Sequence, residues 1–201
     1  MRLVIEDLAC VRGDRRLFEG LGFAAGAGEA VIVTGPNGAG KSSLLRIMAG
    51  LLRPAGGRIV LEGGEADRSV GGLAHFVGHL DGVKGALTVL ENLEFTRALF
   101  GGDRPSTDAA LIRLGLATLA SLPARMLSAG QKRRLALARL LVAKRPLWLL
   151  DEPTSALDAD GQETFSALAA EQRSLGGIIV ATTHAPLEFP GAQEIRLGGR
   201  A

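Results

Sequence analysis

The chain reads Gly35-Pro36-Asn37-Gly38-Ala39-Gly40-Lys41-Ser42 directly after the apolar, β-branched run Ala30-Val31-Ile32-Val33-Thr34. This stretch fits the pattern G-x-x-x-x-G-K-[ST] and lies between a predicted buried strand and a predicted helix, the context that the pattern requires. Its glycines allow backbone N–H groups to surround phosphate oxygens, and the helix N-terminus adds a favourable dipole. The sequence therefore predicts a nucleotide-phosphate loop in which Lys41 binds the β and γ phosphates and Ser42 ligates Mg²⁺.

A pair of carboxylates follows a second apolar run. Asp151 and Glu152 come directly after Leu147-Trp148-Leu149-Leu150. Both are thus expected at the carboxyl end of a buried strand, where open α/β sheets bind ligands. One carboxylate of the pair is suited to hold Mg²⁺, directly or through water, and the adjacent one to orient and polarise an attacking water. His184 follows the apolar run Ile178-Ile179-Val180-Ala181, and we expect it to reach the γ-phosphate from a neighbouring strand.

Predicted strands and helices alternate along the rest of the chain, which favours a mainly parallel sheet. Thr88 and Glu91 form a capping-box pattern at the start of a helix. Turns are expected at Gly13-Asp14 and Gly28-Glu29. Further strands are predicted at residues 3–5, around 17–18, and at 58–61 and 74–77, and further helices over 41–52, from about 130 to 142, and over 165–175.

Composition limits the classes of protein that the chain can represent. Its 201 residues are a one-domain length, and a hydrophobic content of 47% excludes a disordered chain. The net charge of +2 shows no excess typical of a nucleic-acid-binding protein, so we expect no nucleic-acid partner. The single cysteine, Cys10, excludes an intramolecular disulfide and is expected to pack in a strand. No run approaches the apolar length of a membrane span, so any membrane role requires a partner.

A third motif carries a family resemblance. Leu127-Ser128-Ala129-Gly130-Gln131 resembles the signature motif, usually L-S-G-G-Q, of the ATP-binding cassette (ABC) ATPases. In that family the signature of one subunit covers the nucleotide held by the phosphate loop of the other. The resemblance implies a homodimer in which Ser128 and the helix N-terminus at Gly130 contact the γ-phosphate across the interface. It also implies that Lys132-Arg133-Arg134 is the first exposed turn of the signature helix, and that Ser155-Ala156-Leu157-Asp158 is the D-loop, which contacts the opposite subunit.

The resemblance extends over nearly the whole chain, from about Leu3 to Leu197. It implies an α/β fold, namely a P-loop NTPase ABC ATPase core with a mainly parallel sheet, an N-terminal antiparallel β subdomain and an inserted α-helical subdomain. One domain is expected over 1–201, with the core at about 1–80 and 145–201 and the helical subdomain at about 81–144. ATP and Mg²⁺ are the implied cofactors. The family's catalytic glutamate matches Glu152 and its switch histidine matches His184. The implied nucleotide-contacting residues are Gly35, Pro36, Asn37, Gly38, Ala39, Gly40, Lys41, Ser42, Ser43, Ser128, Gly130 and Gln131.

Two positions depart from the family pattern. ABC ATPases stack adenine on an aromatic residue in the first hairpin, and here Arg12, before Gly13, holds that place. A guanidinium can stack on a flat base, and Phe18 is the alternative stacking residue. The glutamine that usually senses Mg²⁺ and the transport partner is replaced by His79. An imidazole can contact a water or a phosphate and can titrate near neutral pH.

These departures sharpen the resemblance to one subfamily. Cys10 to Arg15, Gly78-His79, Gly82-Val83-Lys84 and Leu87 to Leu93, together with the signature, resemble the ATP-binding subunit of the bacterial cytochrome c maturation system, the haem exporter ATPase. The resemblance implies an ATPase at the cytoplasmic face of the inner membrane, peripheral through an integral membrane permease subunit. It also implies that hydrolysis serves haem export or release of a haem-loaded chaperone, and that the helical region meets a cytoplasmic helix of the permease.

Three alternatives stay open from the sequence. The nearest is the ATP-binding subunit of a different ABC transporter, which would use the same catalytic residues. A soluble ABC protein of translation or DNA repair would generally carry paired cassettes, an inserted coiled coil or basic extensions. A P-loop kinase or regulatory nucleotide-binding module would form no ATP-dependent dimer and would not need the signature motif.

Overall fold

The computed structural model describes residues 1–63, 69–79, 81–102, 104–183 and 189–198, except for the side chains of residues 104–106. The chain forms two compact units. Unit 1 comprises Met1–Phe76, Pro146–Glu152 and Ala169–Ala201, and unit 2 comprises Val77–Arg145 and Pro153–Leu168.

Strands and helices follow one another along the described residues. Short 3₁₀ turns lie at Val70–Leu73, Ala117–Leu119 and Ala124–Met126. The helices are α1 Lys41–Met48, α2 Val89–Phe100, α3 Arg104–Arg113, α4 Ala129–Ala138 and α5 Ala159–Ser174. The strands are β1 Arg2–Arg12, β2 Arg15–Gly26, β3 Ala30–Thr34, β4 Gly56–Glu62, β5 Ala74–Val77, β6 Leu147–Asp151, β7 Ile178–Thr182 and β8 Gln193–Arg196.

The strands form two sheets. One has three antiparallel strands in the order β2-β1-β4. The other has five strands in the order β5-β6-β7-β3-β8, and β6–β7, β7–β3 and β3–β8 pair in parallel. The apolar strands β6 and β7 are buried along their whole length, as expected for central strands of a parallel sheet covered on both faces. The predicted α/β class, with a mainly parallel sheet and an N-terminal antiparallel sheet, is confirmed.

The apolar core of unit 1 joins the two kinds of sheet with α1. Leucines of β1, α1 and β6 and the valines of β3 belong to one buried cluster. Cys10 lies in this cluster, so the prediction that it packs in a strand is confirmed. Burial raises the pKa of the Cys10 thiol above its ordinary value.

Helix α1 ends four residues before its predicted end at Leu52. Gly50 has a φ of 73°, and it donates its N–H to the Ile47 carbonyl while Leu51 donates to the Arg46 carbonyl. These two bonds form a Schellman motif with glycine at the left-handed position. Leu51 is therefore 65% exposed, and the prediction that the helix extends to residue 52 is wrong.

Other predicted elements can be compared with the structure in the same way. The capping box of Thr88 and Glu91 is present at the start of α2, as predicted. Helix α4 ends at Ala138 rather than near residue 142, and α5 begins at Ala159 rather than 165. Strand β8 was not predicted because its four residues are mostly polar and exposed, and its pairing with β3 is visible only in the fold.

A bulge in β1 brings two backbones unusually close. The register between β1 and β4 shifts between Glu6 and Ala9, and Asp7 has a φ of 48°. Gly57 faces this bulge with a φ of 78°, and a Cβ there would lie 2.3 Å from the Asp7 carbonyl oxygen. Only glycine fits at such a contact.

We expect Gly57→Ala to destabilise the protein more than Gly13→Ala. Both glycines have positive φ, which costs an alanine about 1–2 kcal/mol. Gly13 has no atom within 4 Å of an added Cβ, so only Gly57→Ala adds a steric cost of about 1–3 kcal/mol. Urea unfolding of both variants measures the difference. Equal losses of unfolding free energy would contradict the close backbone contact.

Candidate functional site

The phosphate loop of unit 1 connects β3 to α1. Gly35, Gly38 and Gly40 have φ values of 136°, 78° and 103°, a region that other residues adopt only with strain. A Cβ at Gly35 would lie 2.3 Å from the Leu197 carbonyl oxygen. Gly40 is the N-cap of α1 and supplies no side-chain hydrogen bond to the helix. The first N–H groups of the helix point toward the loop and can donate hydrogen bonds to an anion.

Lys41 is folded over this loop. Its side chain is only 7% exposed, and Nζ donates to the carbonyl oxygens of Gly35 at 2.7 Å and Pro36 at 3.2 Å. An ammonium group has three N–H donors. The two backbone contacts thus hold the Lys41 ammonium group beside the loop, where it can donate to phosphate oxygens.

The predicted carboxylates lie in register with the loop strand. Asp151 pairs with Thr182 across β6 and β7, and Thr182 pairs with Val33 across β7 and β3. These three residues form one row across three parallel strands, and α1 packs against β6 and β7. Asp151 and the phosphate loop therefore share the carboxyl edge of one sheet, as the sequence predicts.

Thr182 holds both carboxylate residues. Its Oγ1 donates to Asp151 Oδ1 at 2.6 Å, and it accepts the Glu152 N–H at 3.2 Å. Asp151 is 2% exposed, so this hydrogen bond satisfies a buried charge. Glu152 has a φ of 51°, a strained conformation for a residue other than glycine. Sequence reasoning missed Thr182, although it ends the strand beside Asp151.

The first hairpin contributes two arginines near the loop. Arg12 and Arg15 pair across the turn between β1 and β2, and both are exposed. Arg15 Nη1 lies 3.7 Å from the position of a Cβ added at Gly38, a contact that sequence reasoning missed. Phe18 is buried in the core, with its ring 3.0 Å from a Cβ added at Gly40. The exposed hairpin tip therefore offers guanidinium groups rather than an aromatic ring.

The signature residues lie in unit 2, at the start of α4. Ser128 caps this helix: its Oγ accepts the Gln131 N–H at 3.2 Å, and Gln131 Oε1 accepts the Ser128 N–H at 2.9 Å. Gly130 permits a close approach, because an added Cβ would lie 2.9 Å from the Ala156 carbonyl oxygen. An open polar pocket of about 450 Å³ is lined by Gly115, Ser128, Gly130, Gln131, Arg134, Ala156 and Asp158.

An ion pair joins the signature helix to the predicted D-loop. Arg134 Nη2 donates to Asp158 Oδ1, which also accepts the Gly161 N–H at 3.0 Å. The hydrogen bond from Arg134, followed by that from Gly161, lowers the pKa of the Asp158 carboxyl below its usual range. Asp158 thus stays charged, and the pocket keeps one carboxylate and one guanidinium at its rim.

The expectation of an exposed turn at Lys132-Arg133-Arg134 is wrong, because Arg133 is buried and the two residues beside it are half-buried. Arg133 is 2% exposed, and its guanidinium points into unit 2. A helix turn of three consecutive cations cannot place all of them on one face, and the second of the three, Arg133, faces inward. His79 is exposed in unit 2 after β5. His184 lies outside the described residues.

Comparison with known proteins agrees with the motifs. Residues 18–155 match the family model described as ABC transporter. A cytochrome c biogenesis ATP-binding export protein CcmA of Rhodopseudomonas palustris (strain BisB5) is 55% identical over 194 residues, which cover 96% of each chain. A protein of the same description from Nitrobacter winogradskyi is 55% identical over 201 residues, 100% of each chain.

Solved structures show the same fold. The structure of a putative ABC transporter ATP-binding protein from Pyrococcus furiosus matches with a TM-score of 0.83 at 25% identity. The match covers 98% of this chain and 98% of that one. A bacterial Atm1-family ABC exporter with ATP bound has a TM-score of 0.79 at 27% identity, covering 98% of this chain and 36% of that one.

The fold, the phosphate loop and the matching family model define a nucleotide-binding ATPase of the kind that works in a transporter complex with membrane partners. The chain belongs to the ABC transporter family and, within it, to the group of cytochrome c biogenesis ATP-binding export proteins. Among the described residues, none of the helices combines the length and the apolar character needed to span a bilayer.

We expect Thr182→Val to destabilise the carboxylate end of β6. The valine would leave Asp151 Oδ1 without its hydroxyl donor, at a cost of about 1–3 kcal/mol for a buried acceptor. Thr182→Ser keeps the hydroxyl and serves as the matched control. Urea unfolding and ATP hydrolysis rates of both variants measure the effect. A serine variant as unstable as the valine variant would show that the methyl group, not the hydrogen bond, matters.

Proposed function

We propose that this chain is the ATP-hydrolysing subunit of a transporter for cytochrome c maturation, which couples ATP hydrolysis to haem export or to release of a haem-loaded chaperone. The observation that carries the catalytic part is the row of Val33, Thr182 and Asp151, which sets the carboxylates beside the phosphate loop. The full-length relatives described as cytochrome c biogenesis proteins support the pathway. A different ABC transporter is the alternative, since it would use the same catalytic residues.

In this proposal the phosphate loop binds the triphosphate of ATP. Residues Gly35 to Ser43 surround the phosphates with backbone N–H groups, and the Lys41 ammonium adds a charge-assisted contact. Asp151 and the Ser42 hydroxyl fit Mg²⁺, because both are hard oxygen donors and the hydrogen bond from Thr182 orients the carboxylate. Mg²⁺, when bound, supplies neutralisation of phosphate charge.

Glu152 is the proposed general base. Its carboxylate orients the attacking water and accepts a proton as the oxygen forms a bond to the γ-phosphorus and the bond to ADP breaks. The strained turn at Glu152 supports this role, because strain of this kind is common where a side chain is aimed at reacting atoms. His184 is proposed to contact the γ-phosphate, Arg12 the adenine, and His79 a water or phosphate in place of the family's glutamine.

A homodimer completes the proposed site. The open polar pocket at Ser128, Gly130 and Gln131 suits a γ-phosphate held by the phosphate loop of a second copy, since the N-terminus of α4 favours an anion. ATP then joins the two copies, and hydrolysis removes the shared contact. Closing and opening thus follow from differential binding of ATP and ADP.

The proposed partners and location follow from the family. The subunit lies at the cytoplasmic face of the inner membrane, held by an integral membrane permease subunit, and acts indirectly on the haem chaperone system. We assign a core to about 1–80 and 145–201 and a helical subdomain to about 81–144 of one nucleotide-binding domain. The helical subdomain is proposed to receive the permease.

We expect Glu152→Gln to retain ATP binding and to lose turnover by roughly 100- to 10,000-fold, the usual contribution of a general base. Lys41→Ala should instead weaken ATP binding by about tenfold or more, because a charge-assisted contact is lost. Equilibrium dialysis and phosphate release on the transporter complex separate the two effects. Near-normal hydrolysis by Glu152→Gln would refute the assigned role.

The pathway is tested by deleting the gene in the native host and staining c-type cytochromes for haem. We expect the cytochromes to disappear and to return with the wild-type gene but not with Glu152→Gln. The inactive variant is the matched control, because it separates the need for hydrolysis from the need for the folded subunit. Normal cytochromes in the deletion strain would move the assignment to another transporter.

A further inference from the structure

Arg133 is among the largest fully buried side chains of the described structure. It lies on α4, five positions after Ser128, and the signature motif, which ends at Gln131, gives it no role. A guanidinium stays protonated in proteins, so its burial requires partners. The partners of Arg133 therefore show what the fold holds together at this point.

Those partners come from two segments of unit 2. Nη1 donates to the Gly78 carbonyl oxygen at 3.0 Å and to Asp81 Oδ1 at 2.9 Å. Nε donates to the Pro153 carbonyl oxygen at 3.1 Å. The Arg133 guanidinium thus links α4 to Gly78, directly before His79, and to Asp81, two residues after it.

Arg139, the residue directly after α4, binds the same segment. Its Nη1 donates to the Asp81 carbonyl oxygen at 3.0 Å. Gly82 makes room for it, because a Cβ there would lie 3.0 Å from Arg139 Nη1. Burial lowers the pKa of the Arg139 guanidinium, opposed by the charge of Asp81. Asp81 is consequently held through its side chain by one arginine and through its backbone by the other.

We propose that Arg133 and Arg139 are positioning residues that clamp Gly78 and Asp81 to α4 and so fix the orientation of His79 relative to Ser128 at the start of the same helix. The proposal rests on the proposed function only where it assigns His79 a part in hydrolysis. His79 itself is exposed, so its position depends on these flanking bonds rather than on burial. A shift of α4 on nucleotide contact then moves the His79 segment with it.

The positioning role predicts a local change of mobility. A nitroxide label on His79→Cys, in a Cys10→Ala background, reports the segment, and a label on the exposed Ala167→Cys of α5 reports unit 2 elsewhere. We expect Arg133→Met to shift the spectrum at position 79 from slow toward fast motion and to leave position 167 unchanged. Lys132→Met, which removes the neighbouring cation of the same helix, should change neither spectrum.

Two outcomes of the labelling would overturn the proposal. Unchanged mobility at position 79 would show that the clamp does not hold the segment, and equal loosening at both positions would show general destabilisation. Should Arg133→Met fail to fold, Asp81→Ala, at a partly exposed position, removes the same ion pair and carries the test with the same two readouts.

Hydrolysis by the transporter complex gives the second readout. We expect Arg133→Met and Asp81→Ala each to lower kcat by about tenfold or more, as misplaced groups do, with a smaller effect on ATP affinity, because Lys41 and the phosphate loop of unit 1 are not held by these bonds. The double variant should be no slower than Arg133→Met alone, since Asp81→Ala removes only an ion pair that Arg133→Met has already removed. Additive losses, or a kcat equal to wild type, would overturn the proposal. Active Glu152→Gln would instead refute the proposed function, and the mobility result would stand independently.

Discussion

The parallel pairing of β3, β7 and β6 is the constraint on which the rest of unit 1 depends. Parallel strands bring all their carboxyl ends to one edge, and the in-register row of Val33, Thr182 and Asp151 places the carboxylates and the loop there together. A slip of one residue would turn each side chain to the other face. The chemistry of the site is therefore as precise as the register of three short apolar strands.

Three buried charged side chains, those of Lys41, Asp151 and Arg133, each have polar partners inside the fold. Lys41 is held by loop carbonyls, Asp151 by the Thr182 hydroxyl, and Arg133 by Asp81 and two carbonyls. Such contacts contribute little net stability, since desolvation offsets most of their attraction. They define geometry instead, because removal of any one partner leaves a charge in a poorly hydrated place.

The sequence predicted the fold class and the loop because those signals are local. The glycine-rich stretch before Lys41 and the apolar run before Asp151 are each complete within a few residues. Thr182, Arg15 and the burial of Arg133 were missed because their partners lie far away in the chain, where pairing and packing decide the outcome.

The end of α1 was predicted wrongly for a different reason. Gly50 is a recognisable helix-stop residue, but the apolar residues beyond it favoured a longer helix. Strand β8 has polar residues and owes its conformation to β3. The assignments of the nucleotide- and Mg²⁺-contacting residues, His184, Arg12 and His79 among them, stay predictions.

The contact between Gly35 and β8 has a consequence for how occupancy of the loop can be sensed. The Leu197 N–H donates to the Thr34 carbonyl at 2.9 Å, and the Leu197 carbonyl oxygen lies against Gly35 at the start of the loop. An edge strand opens by local unfolding more readily than central strands do. A ligand that requires the closed arrangement of the loop adds its binding free energy to the docking of this strand. Amide hydrogen exchange in β8 is thereby expected to slow when the nucleotide site is occupied.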